Sequence, residues 1–141
     1  MKKTVKTSKK GFTLVELIVV LVILAVLAAM LVPALVGYVD KAKKEKEYQT
    51  AATVYGAAQA TITEMYGRNK ISKGSTLSLG TSTWGPQVIK LAGVDSKAVT
   101  AFSFTYGDNF IISGGTVTIS NHVYTLTIDT ANGAPSWSGE T

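Results

Sequence analysis

The chain has no cysteine. A disulfide framework and a thiolate metal site are therefore excluded. It has one histidine, His122, so a zinc site has no second imidazole to draw on. His122 falls in a predicted turn and reads as a solvated turn residue. The acids of the C-terminal part, Asp95, Asp108, Asp129 and Glu140, are scattered and match no EF-hand spacing. No glycine loop with a following Lys-Ser/Thr is present to cradle phosphates. No Asn-x-Ser/Thr sequon occurs. These absences exclude the usual constellations of an enzyme, and no catalytic residue, metal or cofactor is expected.

Charge is also unevenly supplied. The formal net charge of +5 and the pI near 9.4 would suit a nucleic-acid binder. Yet five of the 14 basic residues are Lys2, Lys3, Lys6, Lys9 and Lys10. Without residues 1–11 the chain carries nine basic and nine acidic side chains. The body is neutral, and no nucleic-acid partner is expected.

What the chain has in abundance lies between Lys9 and Val39: KKGFTLVELIVVLVILAVLAAMLVPALVGYV. Leu17 to Val36 is a run of 20 residues without a charge, long enough to cross a bilayer. The basic leader predicts a cytoplasmic N-terminus and a body on the far side. An ordinary secretory signal has a shorter apolar region and a small-residue cleavage site after it. Here the conspicuous small residue, Gly11, comes before the run. Glu16 places a carboxylate near the start of the span, where charge is expensive.

Lys10-Gly11-Phe12-Thr13-Leu14-Val15-Glu16 resembles the class III signal of type IV pilins and pseudopilins. The resemblance covers about a fifth of the chain, from the basic pair through the apolar helix with Pro33. It implies cleavage after Gly11 by a prepilin peptidase and N-methylation of Phe12, giving N-methylphenylalanine. An acid one turn into a helix can neutralise its own N-terminus or a neighbour's; the resemblance implies that Glu16 answers the Phe12 amine of an adjacent subunit during assembly. Buried charges tolerate each other only when closely paired, so Glu16 would set the register of the incoming subunit. The resemblance further implies a homo-oligomeric helical filament, an inner-membrane assembly machinery with a cytoplasmic ATPase, and a membrane-anchored precursor that becomes an extracellular pilus. The expected function is that of a structural subunit, a major pilin of a type IV pilus (fimbrium) serving adhesion, motility or aggregation. The alternative is a pseudopilin of a type II secretion or competence system for DNA uptake. The absence of cysteine departs from the many pilins with a disulfide-closed C-terminal loop, and is similar to some Gram-positive, clostridial-type pilins.

The helix is expected to continue past the span. From Asp40, apolar or small residues recur at Tyr48, Ala51/Ala52, Tyr55, Ala58, Ile62 and Met65/Tyr66, in steps of three and four that mark one helix face. Asp40 to Glu47 reads as a solvated, paired charge group, with a membrane-surface role for Lys41, Lys43 and Lys44 as the competing reading. Gly67 is the expected stop. Pro33 and Gly37 predict a kink. In the resembling family, Ala28 to Gly37 bends or melts when subunits pack.

Beyond Ser72 the composition shifts to Thr, Ser, Gly and β-branched residues. Ser75–Leu79 reads as a short strand or loop, and Gly85–Gly93 as a short helix with Pro86 in its first turn. Strands are expected at Ala98–Tyr106, Asn109–Ser113, Thr116–Ser120 and Val123–Asp129, with Gly114-Gly115 as a hairpin turn. The tail Thr130–Thr141 is expected to wrap the sheet edge or remain mobile. Trp84 and Trp137 read as partly buried anchors or as adhesive surface groups. The predicted fold class is α+β: a long N-terminal helix packed by its C-terminal half on a small antiparallel β-meander. The predicted divisions are a cleaved leader 1–11, an apolar helix 12–39, its amphipathic continuation 40–66 and a β body 67–141.

Overall fold

A computed structural model describes residues 10–139. Lys2, Lys3, Lys6 and Lys9 of the leader, and Glu140, lie outside the described residues. The first element, α1 (Leu14–Gly67), is a helix of 54 residues. The others are β1 (Ser75–Ser78), α2 (Gly85–Ala92), β2 (Val99–Tyr106), β3 (Ile112–Ile119), β4 (His122–Ile128) and β5 (Pro135–Gly139). The five strands form one antiparallel sheet in the order β1-β2-β3-β4-β5. This is the α+β class expected, a long helix packed on a meander. The chain divides within α1 into two compact units, one ending at Ala42 and the other running from Lys43.

In the first unit, every described side chain is exposed, from Phe12 through the apolar run to Val39. In the second, α1 buries Ala51, Val54, Ala57, Ala58, Thr61, Ile62 and Met65. The stripe is the predicted one, except that Ala52 and Tyr66 turn outward and Val54 and Ala57 turn in. Its small residues let the sheet approach, and Val54 and Ile62 fill the space beneath it. Thr61, the buried polar residue of the core, donates its hydroxyl to the Ala57 carbonyl at 2.9 Å and so leaves no unpaired group.

The helix ends at the expected glycine, but that glycine does not make the turn. Gly67 is its last residue, and the reversal falls on Asn69, at φ 53°. The Lys70 N–H donates to the Met65 carbonyl at 2.9 Å and the Asn69 N–H to the Tyr66 carbonyl at 3.0 Å. That pair of bonds is a Schellman closure, with asparagine in the place glycine usually takes.

Gly114-Gly115 is not a hairpin turn. Both glycines lie inside β3, which pairs as one strand with β2 and β4. The turn between β2 and β3 is Gly107–Ile111 instead. Gly115 faces the core, pressed against the Ser103 carbonyl and the Phe104 ring, and a side chain there would have no room. Likewise the β3–β4 turn is Ser120-Asn121, both with positive φ (50° and 72°), the signature of a type I′ hairpin. His122 is therefore the first residue of β4, paired with Ile119, rather than a turn residue. The tail supplies a fifth strand: β5 pairs with β4 and lays Trp137 against Tyr55, ring centroids 6.4 Å apart. Ser75–Ser78 is a strand, and α2 closes on Gly93 at φ 64°.

Gly115→Ala is expected to destabilise the second unit by about 1–3 kcal/mol, because the added carbon meets backbone and a fully buried ring. Gly114→Ala meets only the Leu126 carbonyl, at 3.5 Å, and is expected to change stability by less than about 0.5 kcal/mol. Denaturation of both variants, followed by near-ultraviolet circular dichroism, measures the difference; equal effects would contradict a continuous β3.

Candidate functional site

The sequence places its candidate residues around the start of α1, and the structure gives that start a definite chemistry. Lys10 to Thr13 are outside the helix and exposed. Phe12 is 83% exposed. The Gly11–Phe12 bond thus lies in irregular, accessible backbone, the form a protease needs, immediately before a rigid helix.

Thr13 is the residue that opens the helix. Its carbonyl accepts the first helical bond, from the Leu17 N–H at 3.3 Å. Its hydroxyl accepts from the Glu16 N–H at 3.3 Å, and the Glu16 Oε2 accepts from the Thr13 N–H at 2.8 Å. This reciprocal exchange is a capping box. It satisfies two donors that a helix start leaves without partners. The helix dipole adds to it, since a carboxylate in the first turn faces partial positive charge. Sequence reasoning placed Glu16 where it could answer its own helix N-terminus or a neighbour's, but it missed Thr13 as the partner. The signal was present: Thr-x-x-Glu just before an apolar run.

Every atom of the cap belongs to Thr13 or Glu16, on the C-terminal side of the Gly11–Phe12 bond. Cutting that bond would leave the box in place. It occupies Oε2 and leaves Oε1 for another donor. Lys10, Gly11, Phe12, Thr13 and Glu16 together line one shallow depression. Pro33 and Gly37 are not part of it; they lie inside the uninterrupted helix, with open space around Gly37.

A second polar group lies in the second unit. Glu47 on α1 accepts a hydrogen bond from the Tyr124 hydroxyl, and its Oε2 lies 3.0 Å from the His122 Nδ1. Glu47 is too far in sequence from His122 and Tyr124 for spacing to have joined them. The Glu47 side chain is only 16% exposed. Burial is the largest single influence on its carboxyl and pushes the pKa up. The hydrogen bonds from Tyr124 and His122, with the charges of His122 and Lys43, together outweigh it and hold Glu47 below the ordinary glutamate value. Burial and the bond to Glu47 push the Tyr124 hydroxyl well above its ordinary value. Among the scattered acids, Asp95 and Asp129 accept backbone N–H groups two residues on, at 2.9 and 2.8 Å, and so shape turns.

The comparison with known families bears on the first group. Residues 6–32 match the family model of the prokaryotic N-terminal methylation motif. That match supports a class III signal and a type IV pilin-like or pseudopilin protein. It implies processing by a prepilin peptidase, and with the apolar helix it is consistent with a membrane-anchored precursor. No curated protein and no solved structure matches the chain.

The Glu47 group has a pH signature. A carboxyl held below its ordinary value favours the fold when ionised. Its contribution is complete above about pH 4.5, the ordinary glutamate value, and is lost as the pH falls through the lowered one. Glu47→Gln is therefore expected to be less stable than the parent at neutral pH, with the gap closing in acid. Denaturant midpoints at neutral pH and at about pH 3 check this; a gap that persists in acid would contradict it.

Proposed function

We propose that this chain is the precursor of a major pilin, the structural subunit of a type IV pilus. The observation that carries the reading is the Thr13–Glu16 cap, set one residue past an exposed Gly11–Phe12 bond and opening an apolar run long enough to span a bilayer.

In this reading the peptidase cuts after Gly11 and methylates Phe12. The cap keeps the new helix terminus ordered and holds Glu16 oriented, with one carboxylate oxygen turned to the Phe12 amine of a neighbouring copy. Residues 12–39 hold the precursor in the membrane and then bundle in the filament, Pro33 and Gly37 supplying the bend. The body from Lys43 is displayed outside. The absence of cysteine fits a Gram-positive, clostridial-type pilin. Adhesion, motility or aggregation would be properties of the finished fibre.

Shearing intact cells and examining the released fraction by electron microscopy and N-terminal mass spectrometry tests the reading. Thin fibres whose subunit begins at methylated Phe12 are the expected result. Processed protein found only in membranes would instead assign the chain to a secretion or competence pseudopilin. Glu16→Ala is expected to abolish fibres while the body stays folded; normal fibre yield would refute the pairing.

Thr13 gives a separate test. Thr13→Ala removes the hydroxyl that completes the cap and is expected to lower fibre yield several-fold without blocking cleavage. Thr13→Ser keeps the oxygen and is expected to restore it. Equal yields from the two variants would show that the cap has no part in assembly.

A further inference from the structure

The loop Gly107–Ile111 lies over the last turns of α1 and is held in an unusual form. Phe110 sits at φ 59°, a conformation bulky side chains rarely adopt. Gln59 clamps it from the helix with both ends of one amide. Its Nε2 donates to the Phe110 carbonyl at 2.9 Å, and its Oε1 accepts from the Ile112 N–H at 2.9 Å. Asn109 Oδ1 accepts from the Ile111 N–H at 3.2 Å, and the Gly107 N–H donates to the Ile111 carbonyl at 3.1 Å.

The clamp presents apolar surface outward. The Phe110 and Tyr66 rings lie 4.6 Å apart, tilted by 37°. Tyr66 is 57% exposed and Ile111 55%. They line an open groove of about 550 Å³ together with Thr63, Lys73, Asp108 and Asn109. That volume is within the range of small-molecule sites.

We propose that this groove binds a neutral pyranose sugar, its C–H face stacked on the Tyr66–Phe110 pair. The polar groups argue for that occupant. Lys73 and the Asn109 amide nitrogen supply donors, and Asp108 supplies acceptors. One cation and one anion leave the groove without net charge, which disfavours an acidic or a basic peptide. A sugar ring carries an apolar face bordered by hydroxyls that both donate and accept, and it matches an aromatic pair bordered by both kinds of partner. Gln59 and the strained Phe110 backbone pre-organise the site at the loop's expense. The proposal stands independently of filament assembly.

The test uses the full chain in lipid nanodiscs, free of sugar-headed detergent. Glucose, galactose, mannose, N-acetylglucosamine and N-acetylgalactosamine are each titrated and followed by saturation-transfer difference NMR. At least one is expected to bind with affinity on the order of 1 mM, as suits a small ligand in an open site. Tyr66→Ala is expected to weaken it by about tenfold. Phe110→Gly, which removes the ring while relieving the backbone, is expected to do the same with the fold intact. No signal from any of the five sugars at tens of millimolar would overturn the proposal. So would a signal unchanged in both variants, or a Tyr66→Ala variant that loses self-association instead.

Discussion

The part of the chain from Lys43 rests on one dry seam, where the Ala51–Met65 stripe of α1 meets the inner face of the sheet. About 100 residues make a marginal core, and no disulfide is available to reinforce it. The seam must supply the stability itself. It does so by combining small residues on the helix with large ones on the strands: Ala51 and Ala58 are fully buried in the same core as Phe104, Ile112 and Val117. Each large side chain so buried contributes about 1.5–3 kcal/mol. The polar contacts along the seam contribute less, about 1 kcal/mol apiece, but they are directional. Glu47 reaches Tyr124 and His122, and Gln59 reaches the β2–β3 loop. Apolar burial holds the helix on the sheet, and these bonds fix where along the sheet it sits.

The same helix obeys a different rule earlier in its course. Between Leu17 and Val36 it is apolar on every side, with no stripe to select. A helix of that kind is stable in lipid or inside a bundle, and not in water. One continuous element thus carries two partners: a sheet, chosen by a stripe, and an apolar surround, chosen by composition alone. The stripe must match a particular surface. The run need match only a solvent, and it can exchange lipid for neighbouring helices of the same character at little hydrophobic gain.

Which parts of this were legible in the sequence follows from the range of the interactions. The helix stripe, α2 with Pro86 and Gly93, and the alternation of Phe102, Phe104 and Tyr106 are local patterns; each appears where periodicity placed it, save that Val54 and Ala57 join the stripe while Ala52 and Tyr66 leave it. Gly114-Gly115 was misread because a glycine pair has two physical uses, a tight turn or a close approach. Only the neighbouring strand, with Phe104 pressed on Gly115, decides between them. His122 was misplaced by the same shift, since Ser120 rather than Asn121 begins the turn, and serine at positive φ gives little warning. The Glu47–His122–Tyr124 group and the Gln59 clamp join residues more than 50 positions apart, and no spacing rule reaches that far. The Thr13–Glu16 cap is a different case. It was local and readable: the acid's place at a helix N-terminus was recognised, but not the threonine three residues before it that completes the pair.

That cap changes the problem Glu16 poses. A carboxylate in an apolar run is costly because its lone pairs lose water. The cap returns a hydrogen bond to one oxygen, and the helix terminus supplies favourable potential to the whole group. The remaining debt falls on the other oxygen. In the proposed assembly, a neighbouring amine meets that debt only when the neighbour is in register, since charge pairing at low dielectric falls steeply with distance and rewards close geometry. Thr13 matters to that selectivity because it removes the carboxylate's freedom to turn elsewhere. An acid free to rotate would accept an amine from many directions. One held by its own helix accepts it from few, and the register of a fibre can then rest on a single residue.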